Sequence, residues 1–380
     1  MSRTISEALF ELLQSGRLSM FLALLWAVHV WGSIWYLAPG PDDGASIAQA
    51  FGFIHRGDLG LLYMDDYRES FVNLPGYAFA QAIFFKAWTS LGLSINVYTY
   101  RTFSLLVVSF VLVCGAILLA RLGPVAVASR NLRVNTFLIL LGVSPVVIDI
   151  LFQRPEALGL LATVAALITY DMGYAGVWRP NWGLYSSAFA LGFAATTHPT
   201  FILTSAGIAV LALGQLLMAK RHADAILATI VGLVPTLGVI AWFAAHAPAS
   251  WDTLLLYGES RTPKIQHLGD SFVLMFRFAL FGYSESGSVA TNAFYALLFS
   301  MLIIITALSA TLIFSWFRVR ESNPISQRHS LVLAFFAAAL LNSLIVETAT
   351  FQVYTVYAFA AVLTVASFLT QRRTSGTSSI

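Results

Sequence analysis

The sequence places two adjacent carboxylates, Asp42 and Asp43, directly after its first long apolar run. They open an acidic stretch that also contains Asp58, Asp65, Asp66 and Glu69. A carboxylate held at a membrane surface can remove the proton of an acceptor hydroxyl, which is general base chemistry. The same pair can instead bind a metal ion that neutralises a phosphate leaving group. A third interpretation makes Asp43 the cap of a helix that starts near Ser46.

A second candidate group, Arg154-Pro155-Glu156, lies between two apolar runs. The guanidinium of Arg154 presents a planar fork of donors, which suits a phosphate. Glu156 can act as a supporting acid, or it can hold the arginine in place. The alternative is a structural ion pair at a helix start, where a proline such as Pro155 is favoured at an early position.

Two further residues stand at predicted helix ends. His198 follows Thr196 and Thr197, and it can contact a phosphate or a sugar or simply mark a helix break. Arg101 opens the next apolar run after the acidic stretch, where it can bind a lipid phosphate or pair with that stretch. No other histidine stands at metal-ligand spacing from His198, so a histidine metal site is not indicated. Whether Asp42, Asp43 and Glu156 bind a divalent metal ion stays open.

The composition is that of a polytopic, all-α membrane protein. Of the 380 residues, 58% are hydrophobic and 10% are charged, against about 25% charged in ordinary soluble domains. The net charge of +3 comes without a basic face, which argues against a nucleic-acid partner. The single cysteine, Cys114, excludes intrachain disulfides and cysteine metal sites. The sequence also lacks P-loop, GxSxG and HExxH motifs, so it does not indicate ATP hydrolysis or these hydrolase chemistries.

Apolar runs of sufficient length predict about ten membrane-crossing helices. These crossings form one transmembrane domain over 1–380, and they fall at 19–38, 99–120, 134–150, 156–172, 183–197, 200–219, 225–246, 290–317, 330–347 and 350–370. Two outer loops, 39–98 and 247–289, are long, which is typical of functional loops. Amphipathic patterns predict interfacial helices at 4–13 and 46–55.

The apolar segment 76–93 decides the topology. Short basic loops, such as the one with Arg121, Arg130 and Arg133, belong on the cytoplasmic side by the positive-inside rule. All of them can be cytoplasmic only if 76–93 lies along the outer surface, with Lys86 reaching towards water. We therefore expect an inner-membrane protein with both termini in the cytoplasm and the candidate residues on the outer face.

In order along the chain, these features resemble the GT-C superfamily of membrane glycosyltransferases. The resemblance is to the branch near the protein O-mannosyltransferases and the aminoarabinose transferases. It covers roughly residues 15–220 and is loose in sequence. It rests on Pro41-Asp42-Asp43-Gly44 to His55-Arg56-Gly57-Asp58, Asn73-Leu74-Pro75-Gly76-Tyr77, Arg101-Thr102-Phe103-Ser104 and Arg154-Pro155-Glu156-Ala157-Leu158.

The resemblance implies transfer of a sugar from a polyprenyl-phosphate donor to a hydroxyl of a lipid, glycan or protein acceptor. It assigns the catalytic base to Asp42 or Asp43, although relatives commonly carry Glu at the second position. It implies that Arg154 binds the donor phosphate, with His198 or Arg101 beside it. The sugar, the acceptor and the stereochemistry stay open.

Two other functions compete with this interpretation. A transporter or flippase of lipid-linked saccharides would carry polar residues near the middle of the membrane and internal repeats. The sequence has its charges at one face and no visible repeat. A non-catalytic subunit of an envelope polysaccharide system would keep the fold but would tolerate loss of Asp42, Asp43 and Arg154.

Overall fold

The computed structural model describes residues 5–36, 47–48, 50–52, 54–55, 75–122, 126–143, 156–174, 177, 179–246, 325–345 and 350–368. Within these residues the regular structure is helical, and no strand occurs. The helices are α1 (Ile5–Leu13), α2 (Gly16–Tyr36), α3 (Pro75–Ser90), α4 (Val97–Arg121), α5 (Val127–Val143), α6 (Glu156–Tyr174), α7 (Pro180–Ala195), α8 (Thr200–Met218), α9 (His222–His246), α10 (Ile325–Ile345) and α11 (Thr350–Phe368). The predicted all-α class is confirmed.

Four of the described helical stretches are long and apolar enough to cross a membrane. They are Tyr98–Arg121, Glu156–Gly173, Thr200–Met218 and His222–Ala241. The α1–α2 pair becomes a fifth candidate if its two parts, bent by 62° at the break, form one span. The predicted crossing 290–317 and the outer loop 247–289 lie outside the described residues. The total of ten crossings therefore stays a prediction.

Local sequence explains where several helices begin. Asn96 caps α4, because its side chain accepts the backbone N–H groups of Tyr98 and Thr99 while the Thr99 hydroxyl accepts the N–H of Asn96. Pro180 stands at the first position of α7, where a missing N–H costs nothing. α5 begins at Val127, earlier than the predicted crossing, so Arg133 lies inside a helix instead of a loop.

The core of the bundle forms where α6 meets its neighbours. Buried apolar residues of α6, among them Leu160 and Val164, belong to the largest hydrophobic cluster, together with Phe201 of α8 and Phe335 of α10. Gly159 of α6 lies against the ring of Phe201, so this crossing leaves no room for a larger residue. Small residues at helix crossings are typical of membrane proteins, because they let backbones approach closely.

α8 and α10 run antiparallel in a fixed register. Gln215 Nε2 donates to Ser330 Oγ at 2.6 Å, and a Cβ at Gly207 would lie 2.7 Å from the Cβ of Ala338. Gly207 and Gln215 are eight residues apart on α8, and their partners Ala338 and Ser330 are eight residues apart on α10 in the opposite order. The start of α8 therefore lies beside the end of α10.

α3 occupies most of the segment whose placement decides the predicted topology. Lys86 is exposed, while Tyr77, Ala78 and Phe85 are buried. The described residues of the predicted helix 46–55 are also helical. Its apolar face, with Ala50, packs on Phe85. This face is thus covered by protein, and the placement of α3 along the outer surface stays a prediction.

Candidate active site

The structure brings together two of the predicted site residues, Glu156 and His198. Glu156 is the first residue of α6, and His198 lies in the turn between α7 and α8. Nε2 of His198 is 3.6 Å from Oε1 of Glu156, and the side chains are only 4% and 1% exposed. Carboxylates are seldom buried unless they are paired, so this pair marks the turn as the candidate site.

The other ring nitrogen of His198 fixes the proton position. The backbone N–H of Thr200 donates to Nδ1 at 3.3 Å, and Oγ1 of Thr200 lies 3.0 Å from the same atom. An N–H can donate only to an unprotonated nitrogen, so this contact assigns the proton of the neutral ring to Nε2. His198 therefore directs its N–H towards Glu156.

Threonine side chains hold the turn that carries His198. The hydroxyl of Thr196 donates to the carbonyl of Phe193 at 2.7 Å, and that of Thr197 donates to the carbonyl of Ala194 at 2.7 Å. The same two carbonyls also accept the backbone N–H groups of Thr196 and Thr197, at 2.9 Å and 3.0 Å, so each is bonded twice. The turn is thereby closed before α8 begins at Thr200.

α3 contacts this same turn at its first residues. The backbone N–H of Gly76 donates to the carbonyl of Thr196 at 2.9 Å. A Cβ at position 76 would lie 2.7 Å from that oxygen and would also meet the Thr196 hydroxyl. Only glycine allows this approach, so the contact ties α3 to the residues next to His198.

The packing of α6 on α8 sets the position of Glu156. Gly159, one turn after Glu156, lies against Phe201, and a Cβ there would come 2.5 Å from the Thr197 hydroxyl. Residues three apart share a helix face, so Glu156 points to the same side as Gly159. This explains why the carboxylate of Glu156 lies beside His198, although His198 is 42 residues later in the sequence.

Of the remaining predicted site residues, the structure describes only Arg101. Arg101 lies in the first turns of α4 and is half-buried, next to Tyr100, which packs with Ala50 and Phe85. Asp42, Asp43 and Arg154 lie outside the described residues. Among the residues that the structure does describe, no group of three metal-binding side chains occurs. A metal site that includes Asp42 and Asp43 stays untested.

Sequence reasoning missed a cavity of about 240 Å³ between α7, α8 and α9. Its lining is mainly apolar and includes Leu191, Ile202 and Leu233. It begins at Ala195, directly before the Thr196–His198 turn, and continues to Leu216 near the other end of α8. Only the packing of three helices creates this space, so no local signal in the sequence could have revealed it.

Two buried side-chain amides were also not predicted as site residues from the sequence. Gln81 on α3 and Asn342 on α10 are almost fully buried, and neither side chain has a hydrogen-bond partner in the part of the chain that the structure describes. A polar residue within an apolar run is itself a signal, because such residues are costly in a membrane and are often functional.

No protein-family model matches the sequence, and no curated protein matches it significantly. The structure is similar to a crystal structure of ArnT from Cupriavidus metallidurans bound to undecaprenyl phosphate, with a TM-score of 0.61 and 15% identity. That similarity covers 92% of this chain, which spans 59% of the length of that structure. The apo state of the same protein matches with a TM-score of 0.47 and 13% identity, over 92% of this chain and 75% of that one. This chain therefore has an ArnT-like helical membrane fold.

Proposed function

We propose that this protein is a membrane glycosyltransferase. It takes a sugar from a polyprenyl-phosphate donor and transfers it to an acceptor hydroxyl on the outer face of the cytoplasmic membrane. The observation that carries the proposal is the fold likeness to ArnT bound to undecaprenyl phosphate, which extends over 92% of the chain. The buried Glu156–His198 pair supports it, because it lies at helix ends where a lipid headgroup can arrive.

In the proposed reaction Asp42 or Asp43 removes the proton of the acceptor hydroxyl. The acceptor oxygen forms a bond to the anomeric carbon of the sugar, and the bond from that carbon to the phosphate oxygen breaks. Polyprenyl phosphate leaves with the bonding electrons, so negative charge develops on the phosphate. Arg154, His198 and Arg101 are proposed to stabilise that charge, and water-free surroundings strengthen such contacts.

Glu156 has a supporting role in this scheme. Its carboxylate faces Nε2 of His198 at 3.6 Å, and it orients the ring that Thr200 holds from the other side. The ring is then held at a fixed place at the end of α7. Positioning of this kind lowers a barrier because less reorganisation is needed during the reaction.

The cavity between α7, α8 and α9 is proposed to hold part of the lipid chain of the donor. Its apolar lining favours a hydrocarbon over water. Because it starts at Ala195, a chain lying in it would bring its headgroup to the turn with His198. The acceptor then approaches from the outer surface, where the loop 39–98 is predicted.

The test uses purified wild-type protein in detergent with radiolabelled undecaprenyl-phosphate glucose, mannose or aminoarabinose and a bacterial envelope extract as acceptor. We expect labelled acceptor and released undecaprenyl phosphate in equal amounts. His198→Ala should lower transfer at least tenfold. The exposed His222, at the start of α9, provides the matched control His222→Ala, which should keep full activity. If no donor supports transfer, and the protein instead moves intact donor across the membrane of liposomes, the protein is a flippase and the proposal is wrong.

A further inference from the structure

The side chain of Gln81 is buried without a hydrogen-bond partner. Its exposed fraction is 0%, and neither Nε2 nor Oε1 has a partner among the described residues. Buried amides are nearly always paired, because a lost hydrogen bond to water is otherwise not replaced. An unpaired amide in a folded protein therefore points to a partner that binds from outside the chain.

Aromatic rings flank this amide. Tyr77 and Phe84 lie on the same face of α3 as Gln81, one on each side of it along the helix. Both rings contact Phe103 of α4, with centroids 5.8 Å and 5.4 Å apart. The amide of Gln81 thus lies on an aromatic surface between two helices.

The amide also lies close to the candidate active site. α3 is tied to the turn with His198 by the hydrogen bond from Gly76 to Thr196. Gln81 lies five residues after Gly76 on this helix. At about 1.5 Å per residue this is roughly 7.5 Å along the helix. Gln81 therefore lies less than two helical turns from the contact between Gly76 and Thr196.

We propose that Gln81 is a specificity-determining residue that binds hydroxyl groups of the donor sugar. This inference rests on the proposed function, which names no residue that binds the donor sugar. A primary amide offers two donors and one acceptor, which match hydroxyl groups that both donate and accept. A phosphate only accepts and is better bound by a cation. The aromatic rings suit the apolar face of a sugar.

The experiment measures binding and stability separately from transfer. Wild type and Gln81→Leu are melted in detergent alone, with undecaprenyl phosphate, and with undecaprenyl-phosphate glucose, mannose or aminoarabinose. Leucine has a similar size but forms no hydrogen bonds. We expect Gln81→Leu alone to melt at or above the wild-type temperature, because it removes an unpaired buried amide.

With ligands, both proteins should bind undecaprenyl phosphate equally well. The preferred sugar-carrying lipid should bind wild type more tightly than undecaprenyl phosphate does. Gln81→Leu should bind this sugar-carrying lipid about tenfold more weakly than wild type does, as expected for the loss of two neutral hydrogen bonds. A variant that retains the full gain from the sugar contradicts the inference and leaves the proposed function intact. Wild type that binds neither lipid overturns both.

Gln215→Leu is the matched control. The Gln215 side chain accepts from the Tyr170 hydroxyl at 3.0 Å and donates to Ser330 at 2.6 Å. Its removal breaks both bonds, so this variant should melt below wild type and keep the preference for the sugar-carrying lipid. If Gln81→Leu instead loses stability as Gln215→Leu does, the amide of Gln81 has a structural partner and the inference is wrong.

Discussion

Replacing Gly76 by alanine tests whether α3 must stay on the turn that carries His198. The added methyl group would lie 2.7 Å from the carbonyl oxygen and 2.8 Å from the carbonyl carbon of Thr196. Carbon and oxygen atoms cannot approach so closely, so either α3 or the turn has to move. That movement weakens the 2.9 Å hydrogen bond between Gly76 and Thr196.

The magnitude follows from two effects. Overpacking costs about 1–3 kcal/mol, and the weakened hydrogen bond adds about 1 kcal/mol. The lower end of their sum, about 2 kcal/mol, would already shift the equilibrium between docked and undocked α3 by about thirtyfold. We expect faster hydrogen exchange of α3 amides in Gly76→Ala and a clear fall in sugar transfer.

Gly214→Ala is the control for this substitution. Gly214 lies within α8, and nothing comes within 4 Å of a Cβ built there. Alanine is favoured over glycine inside a helix by about 1 kcal/mol, so this variant should melt at or above the wild-type temperature with full activity. Slow exchange and full transfer by Gly76→Ala would refute the idea that this contact positions α3.

Three further predictions follow from other contacts. Arg121→Met removes the 2.8 Å ion pair with Asp171, whose side chain is only 4% exposed, and should lower the melting temperature by more than the loss of an exposed pair would. Gly192→Ala places a methyl group against the carbonyl of Gly232, forces α7 and α9 apart, and should lower the melting temperature. Glu156→Gln keeps the side-chain shape but replaces the carboxyl group that faces His198 with an amide, so transfer should fall at least tenfold with little change in melting.

Matched variants distinguish these effects from general damage. Arg221→Met breaks a more exposed pair with Asp224 and should cost less than about 1 kcal/mol. Gly238→Ala adds a methyl group where nothing lies within 4 Å, so it should leave the melting temperature unchanged or higher. Equal losses in Arg121→Met and Arg221→Met, or in the two glycine variants, contradict the respective prediction.

The sequence predicted the helices better than it predicted their contacts. The runs 99–120 and 200–219 became Val97–Arg121 and Thr200–Met218. A long apolar run is a local signal, since its residues must cover a stretch of membrane whatever surrounds them. The contact between Glu156 and His198 is not local, because it depends on how α6 packs against α8.

Arg133 shows a second limit of sequence reasoning. The sequence predicts that it lies in the basic loop 121–133, yet it is fully buried and its Nε donates to the carbonyl of Leu119 at 2.6 Å. A cation at a helix end satisfies carbonyl groups that lack an intrahelical partner. An arginine can stand equally well in a loop or at such a helix end. The role of Arg133 therefore follows only from the packing of α4 and α5.

The most direct test of the central claim is sugar transfer by wild type, Asp42→Asn and Asp43→Asn, with folding checked by melting. The preferred undecaprenyl-phosphate sugar serves as the radiolabelled donor, and donor binding is measured on the same samples. We predict that wild type transfers the sugar and that one of the two variants loses transfer while it still binds the donor. If both variants transfer the sugar as fast as wild type, the carboxylate pair is not the base and the proposed mechanism is contradicted.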